Sequence, residues 1–348
     1  MSRVARRWTV LVMALLVVAI GGAGAAPARA FLDGRQADAP PPSGTVRLMA
    51  VGDVMLAQSI GRRIRQNGLL APWVKVKPYF DEADLVVANL ECTISDRGTP
   101  WKKTFTFRAP ISAAASLAAA GIDAVTDANN HAMDFGRDAF ADTLSYLDAA
   151  GVRHFGGGAN LAAARAPLII ERNGLRIAFL GYVLPFSGKP AFNTRQWAAT
   201  ATLSGLAIGT PQIVAQDVAA AKKQADVVVV MVHGGIEYSS RPSKAQKNFD
   251  KAAIDAGAAL VIGAHPHVLQ GYVYEAQTLI AYSTGNFVFD RFTDAPELDT
   301  AILDVTLSAN GVQSLNWIPI EIHNGFPRPA VGPEVTRIRG RLKPLPPP

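Results

Sequence analysis

Apolar positions in this chain fall in short continuous runs separated by stretches with helical spacing. Runs over 45–52, 84–90 and 122–127 read as buried strands, and between them apolar residues recur at intervals of three and four near 57–66, 112–120 and 136–150, predicting helices. Asp226 to Val232 (DVVVVMV) is the most apolar run, Ala259 to Ile262 is another, and a helix is expected over 243–256 between them. Two more pairs of runs read as hairpins: Leu168 to Arg172 and Leu175 to Gly181 around Asn173-Gly174, and 299–308 with 312–322 around Ala309-Asn310-Gly311. Alternating strands and helices with added hairpins predict an α/β fold, layered, with mixed sheets flanked by helices.

The ends read differently. Arg3, Arg6 and Arg7 precede an apolar run of about thirteen residues, Trp8 to Ile20, and Ala28-Arg29-Ala30 supplies a small-residue cleavage pattern, so residues 1–30 are expected to be a removed signal peptide. A retained anchor is the alternative, but the run is short against the roughly 20 residues of a membrane span. The expected location is periplasmic, extracellular or at the cell surface, with Arg6-Arg7 a partial match to a twin-arginine signal. Residues 31–44, with Pro40-Pro41-Pro42, read as a linker, 45–327 as one domain, and 328–348 as a Pro-rich tail.

Charge and cysteine content narrow the classes. The formal charge of +6 falls to +2 once the four arginines of residues 1–30 (Arg3, Arg6, Arg7, Arg29) are removed, because that segment holds no acid. No dense basic stripe remains, which argues against a nucleic-acid partner. Cys92 is the single cysteine, so no intrachain disulfide forms.

Candidate chemistry sits at the ends of the apolar runs. Gly52-Asp53, Asn89-Leu90-Glu91, Asn129-Asn130-His131, Val232-His233 and Gly263-Ala264-His265-Pro266-His267 each place an oxygen or imidazole donor just past such a run, and they take four of the six histidines. Each has a plain alternative: Asp53 as a helix cap, Asn129 and Asn130 as turn caps, His233 in an ordinary strand-end turn. Carboxylate, carboxamide and imidazole without thiolate suit one or two divalent ions such as Mn, Fe, Zn or Mg. Gly52 is expected to let the backbone turn sharply, and His265 and His267 to point the same way from an extended segment. A carboxamide such as Asn130 can ligate, and the adjacent unligated His131 can donate a proton to a leaving group. Arg108, after Thr104-Phe105-Thr106-Phe107, and Asn286 are candidate substrate contacts; His154 and His323 receive only structural readings.

With Gly52-Asp53-Val54-Met55-Leu56, Ala88-Asn89-Leu90-Glu91, Asn129 to Gly136, His233 to Tyr238, Gly263 to Val268 and Tyr282 to Asp290 in this order, the chain resembles the CapA family of poly-γ-glutamate capsule biosynthesis proteins over about residues 45–292. The resemblance implies a metallophosphoesterase-like (calcineurin-like) β-sandwich in which two sheets meet and strand-end loops hold metal. It implies Glu91 as a bridging carboxylate, Asn130, His233 and His265 completing one metal, and Asp53 with His267 serving the other. Two departures stand out. Met55 replaces the histidine that dimetal phosphoesterases carry, and Gly234 replaces a bulky residue, which is expected to widen the cleft.

Two functions follow as expectations. One is a secreted, metal-dependent hydrolase of a phosphoester or γ-glutamyl amide in capsule or related envelope polymer synthesis or export, with His131 protonating the leaving group. The other is a non-catalytic accessory that binds an anionic polymer within a membrane polymer synthesis complex; hairpin 299–322, carrying Trp317 and Ile318, would then be a docking surface, although packing in the sandwich core is the preferred reading of it.

Overall fold

The computed structural model describes residues 44–185 and 192–348. The expected signal peptide and the linker, Gly44 apart, lie outside the described residues. Strand Thr45–Val54 starts the domain and organises it. It pairs in parallel with Leu85–Leu90, which pairs with Ala124–Thr126, which pairs with Arg153–Phe155. Its other edge is shared. The first half runs antiparallel to Asp299–Ser308, and the last residues pair in parallel with Asn286–Val288. Gly311–His323 and Phe326–Pro329 complete this eight-stranded sheet.

A six-stranded sheet has the order Tyr272–Glu275, Thr278–Ala281, Leu260–Ala264, Val227–His233, Leu175–Val183, Leu168–Arg172. Side chains alternate in direction along a strand, so each sheet offers two faces. Leu48, Ala50, Val87 and Leu303 of one sheet meet Ile177, Val229, Met231 and Ile262 of the other in a shared core. The opposite face of the first sheet is covered by helices Gln58–Asn67, Ser112–Ala120 and Arg137–Ala150, and that of the second by Pro211–Ala221 and Lys244–Asp255. The expected layered α/β architecture is therefore observed. Burial on both faces is why Val227–His233 carries no alternation. Helix Lys244–Asp255 starts where Ser243 and Gln246 form a capping box.

The expected tail is folded. Phe326–Pro329 pairs with Gly311–His323, and helix Pro333–Arg341 follows, with Ile338 buried beside Leu269 and Ala301. Arg337 and Arg341 reach the fully buried Asp299 at 2.8 and 2.7 Å, and Leu345 N–H donates to the Tyr272 carbonyl at 2.7 Å. Composition suggested a tail because it is rich in proline; the ion pairs of Arg337 and Arg341 that hold its helix reach Asp299, 38 and 42 positions away. The hairpin Asp299–Ser308/Gly311–His323 packs in the core, the preferred reading of it, and is not a free docking surface. Ile318 packs against one core cluster, and Trp317 against another, with its ring 6.0 Å from Tyr272. Among the described residues no helix is long and apolar enough to cross a membrane.

Candidate metal centre

Five strand ends bring the candidate residues together, all at the carboxyl ends of parallel strands, where open α/β sheets form their clefts. Strand Thr45–Val54 runs two residues past the expected end. A register irregularity between Ala50 and Asp53 puts Asp53 opposite both Asn89 and Asn286. Gly52 serves close approach and not a sharp turn: a Cβ there would stand 1.8 Å from the Gly285 carbonyl oxygen, whose acceptance of the Asp53 N–H at 3.0 Å sets this register. Glu91 follows Leu85–Leu90 and is held by its N–H on the Val54 carbonyl at 2.9 Å.

Asn129 and Asn130 divide the two readings open for them. Asn129 is structural: its Oδ1 accepts the His131 N–H at 3.0 Å and its Nδ2 donates to the Leu90 carbonyl at 2.8 Å, a side-chain turn that aims the next two residues. Asn130 faces the cluster, its Oδ1 lying 2.9 Å from His233 Nε2. His233 Nε2 also lies 3.1 Å from His265 Nδ1 and 3.7 Å from Glu91 Oε1. Asp53, Glu91 and His267 offer a second convergence, with one donor atom from each within 4.8 Å of the others. Glu91 thus belongs to both sets.

His265 and His267 arrive by another route than expected. Both adopt positive φ, 96° and 60°, so the segment is not extended. Left-handed backbone at two imidazole residues costs energy, and such strain concentrates at functional sites. His267 Nδ1 sits 2.8 Å from Asn286 Oδ1 and 3.4 Å from Asp53 Oδ2. Asn286 donates its amide to the His267 and Glu297 carbonyls, at 3.1 and 3.0 Å, so it positions His267.

Electrostatics at the cluster favour a bound cation. Glu91 is fully buried and neither of its carboxylate oxygens has a hydrogen-bond partner. Burial, and then the charge of Asp53, push its carboxyl well above the usual range. Burial, reinforced by His267, lowers His265 to about 3, and burial with the same neighbouring imidazoles holds His233 well below its ordinary value, so both rings are neutral donors. Burial works against protonation of His267 as well, but the Glu91 charge and the bond to Asp53 overcome it and raise it to about 9. A proton on His267 there stands in for positive charge that the two carboxylates demand. The donor set and its orphaned oxygens fit a divalent ion.

His131 is built differently. Its Nδ1 is 2.7 Å from Asp134 Oδ2, its ring stacks on Phe107 with centroids 4.2 Å apart, and its Nε2 points toward Glu91 Oε1 at 4.0 Å. Burial dominates and lowers it to about 4, with Asp134 opposing and Lys103 adding to the shift. Asp134 and Lys103 were not anticipated as site residues. Lys103 Nζ meets Asp134 Oδ1 at 2.6 Å, bonds the Asn130 carbonyl, and lies over the rings of Phe192 and Trp197 at 4.8 and 5.2 Å. Asp134, three residues past His131, was within reach of sequence reasoning; nothing around Lys102-Lys103 marked the second as buried.

Arg108 is not brought to the site. It is exposed on the outer side of the segment, its guanidinium 4.4 Å over Phe135 and donating to the Arg97 carbonyl, while its neighbour Phe107 turns inward. The cation that reaches the cleft is Arg291, 4.1 Å over the Phe105 ring in a cavity of about 350 Å3 in front of His131 and His267. Met55 is buried in the apolar cluster beneath helix Gln58–Asn67, its sulfur accepting the Ala57 N–H at 3.2 Å, so a histidine at 55 would enter the core. Gly234 does not widen the cleft, since a Cβ there would meet the Leu184 Cγ at 2.6 Å.

Residues 47–291 match the family model described as bacterial capsule synthesis protein PGA_cap. The chain belongs to this family. It is 31% identical over 287 residues to the capsule biosynthesis protein CapA of Bacillus anthracis, covering 80% of this chain and 68% of that one. It is 32% identical over 282 residues to the PGA biosynthesis protein CapA of Bacillus subtilis (strain 168), covering 80% and 72%. A Mycobacterium tuberculosis (strain ATCC 25618 / H37Rv) protein named a probable polyglutamine synthesis accessory protein is 29% identical over 295 residues, covering 78% and 76%. All six motifs quoted from the sequence fall within the matched segment, and every strand-end donor of the cluster is among them.

Proposed function

We propose that this family member is an exported, divalent-metal-dependent hydrolase acting on a γ-glutamyl or phosphorylated bond of an anionic envelope polymer. The observation that carries this reading is Glu91, a buried carboxylate with two unpartnered oxygens at the meeting point of Asp53, Asn130, His233, His265 and His267. Asn130, His233, His265 and Glu91 would hold one ion; Asp53 and His267 would hold a second through shared Glu91. The metal supplies Lewis-acid polarisation of the scissile carbonyl or phosphoryl and a water acidified for attack. The chain does the rest. Asp134 fixes the Nδ1 side of His131 and leaves Nε2 facing the cavity, where the neutral ring takes up the proton released by the attacking water and passes it to the leaving group. Phe107 and the other rings exclude water around it.

Metal analysis of protein purified without residues 1–30, combined with a screen of phosphomonoester, phosphodiester and γ-glutamyl amide substrates, tests the reading. Stoichiometric Mn, Fe or Zn with turnover abolished by chelator supports it, and protein without metal from replete medium removes it. Sequencing the amino terminus of the exported protein checks processing after residue 30. A second reading, a metal-containing accessory that binds polymer without cleaving it, is favoured by Met55 alone: with that side chain in the core, only Asp53, Glu91 and His267 would be left to hold a second ion. Bound metal without turnover of any substrate selects it.

A further inference from the structure

The cavity before His131 and His267 carries charges of both signs that the protein leaves unmatched. Arg291 is the positive one, its guanidinium 4.1 Å over the Phe105 ring and in no ion pair among the described residues. Glu237, Asp294 and Glu297 line the same space, and none of them is in an ion pair among the described residues. Arg291, Glu237 and Asp294 are open to solvent and Glu297 is half-buried, so water serves the first three until a ligand displaces it. Asp294 stands at the cap position of helix Ala295–Leu298 yet makes no side-chain capping bond, and Glu297 Oε2 is buried without a hydrogen-bond partner. Both signs act at one point, the Tyr238 phenol: burial raises it, Glu237 and Glu297 add to that, and Arg291 opposes them. Aromatic faces of Phe105, Phe107, Tyr238, Phe289 and Phe292 make up the walls between.

The interior of a polyanion presents only negative groups. One of them would find Arg291, but the rest would meet three carboxylates, a repulsion that discriminates against such a ligand. A neutral ligand would displace water from both signs and match neither. A group bearing an ammonium and a carboxylate on one carbon satisfies both, the carboxylate on the guanidinium and the ammonium against carboxylates and ring faces. We propose that the cavity recognises the zwitterionic head of a free α-amino acid residue, so that the site acts on the amino end of an amino-acyl chain and not on its interior. This rests on the hydrolase reading and names its substrate class. In a γ-linked glutamyl chain the terminal residue has that head on its α-carbon, with the scissile carbonyl two methylenes away.

Calorimetric titration decides the matter, using γ-glutamyl-glutamate, its N-acetyl form and the form amidated at the first α-carboxylate, with metal content measured in every sample and inorganic phosphate as a separate probe of the metal floor. The free dipeptide should bind about tenfold or more tighter than either blocked form, the worth of one charge-assisted contact. Arg291→Met should abolish discrimination against the amide alone. Asp294→Asn with Glu297→Gln should abolish discrimination against the acetyl form alone. Equal binding of free and acetylated dipeptide, or ratios untouched by these substitutions, overturns the proposal. Phosphate binding without any dipeptide binding overturns it too, while leaving the hydrolase reading in place. Because the charges belong to the protein, the same ratios measured after chelation decide the proposal even where metal dependence fails.

Discussion

Two carboxylates, Asp299 and Glu91, are equally and completely buried, and the protein treats them in opposite ways. Asp299 is gripped by Arg337 and Arg341 from the last helix, with Arg337 also tied to Glu321 at 3.1 Å. Glu91 has no hydrogen-bond partner for either oxygen, and the charge of Asp53 repels it. Burying an unpaired charge is costly, so a fold that matches one carboxylate with two guanidiniums and leaves the other bare is not indifferent to the second. The latch end uses charge to hold structure. The strand-end cluster keeps charge in reserve for a cation, at some expense of stability.

The largest expected effect belongs to the cluster end. His131→Ala should lower turnover of an identified substrate by about 10²–10⁴-fold, the usual worth of a positioned proton-transfer group, with metal stoichiometry and melting temperature near wild type. Metal loss in this variant would make His131 a ligand and blur the comparison. Lys103→Met should act in the same direction more weakly, about 10–100-fold, because it supports Asp134 and through it the imidazole.

At the latch end the pattern should invert. Arg337→Met with Arg341→Met leaves Asp299 buried and unpaired, and should cost about 3–5 kcal/mol in denaturant unfolding while metal stoichiometry stays unchanged. A cost within error would show that solvent already reaches Asp299. Removing the bare charge should do the opposite: in chelated protein, Glu91→Gln should raise the melting temperature, whereas in metal-loaded protein it should lower both metal content and melting temperature. If Glu91→Gln destabilises the chelated protein, the carboxylate has a structural partner after all and the contrast with Asp299 collapses.

The smallest effect sharpens the comparison away from both ends. Asp127, buried below the Asn129 turn, is raised from 3.8 to about 7, chiefly by burial, with His154 opposing and Asp148 assisting. A carboxyl whose folded value lies above its unfolded one contributes stability in full below about pH 4, and that contribution drains away as pH rises to about 7. The slope is at most one proton, about 1.4 kcal/mol per pH unit. Asp127→Asn should flatten unfolding free energy over that window, and an unchanged profile would show that His154 already compensates the charge.

Much of this architecture was legible in the chain. Helix Ser112–Ala120 lies where spacing placed it, and both hairpins turn at the expected residues, because hydrophobic period and turn chemistry are local properties. The donors at strand ends were legible for a related reason: an acid or imidazole that closes a buried run has few structural uses. What the chain alone misjudged depends on distant neighbours. The ordering of 328–348 requires Asp299, the inward turn of Phe107 and outward turn of Arg108 require the ring of His131, and the choice between Asn129 and Asn130 requires Leu90 and His233 to be in place.

Residue types and their periods therefore determined the layers and the inventory of donors. Only tertiary structure decided which donors share an atom-scale centre, that His265 and His267 reach it through left-handed backbone, and that Arg291 and Lys103, not Arg108, bring positive charge near it. The reason is physical. Periodicity is written within one turn or one pleat of the chain, whereas a charge is defined by what surrounds it, and the surroundings of Glu91 come from five segments that meet only when the two sheets close.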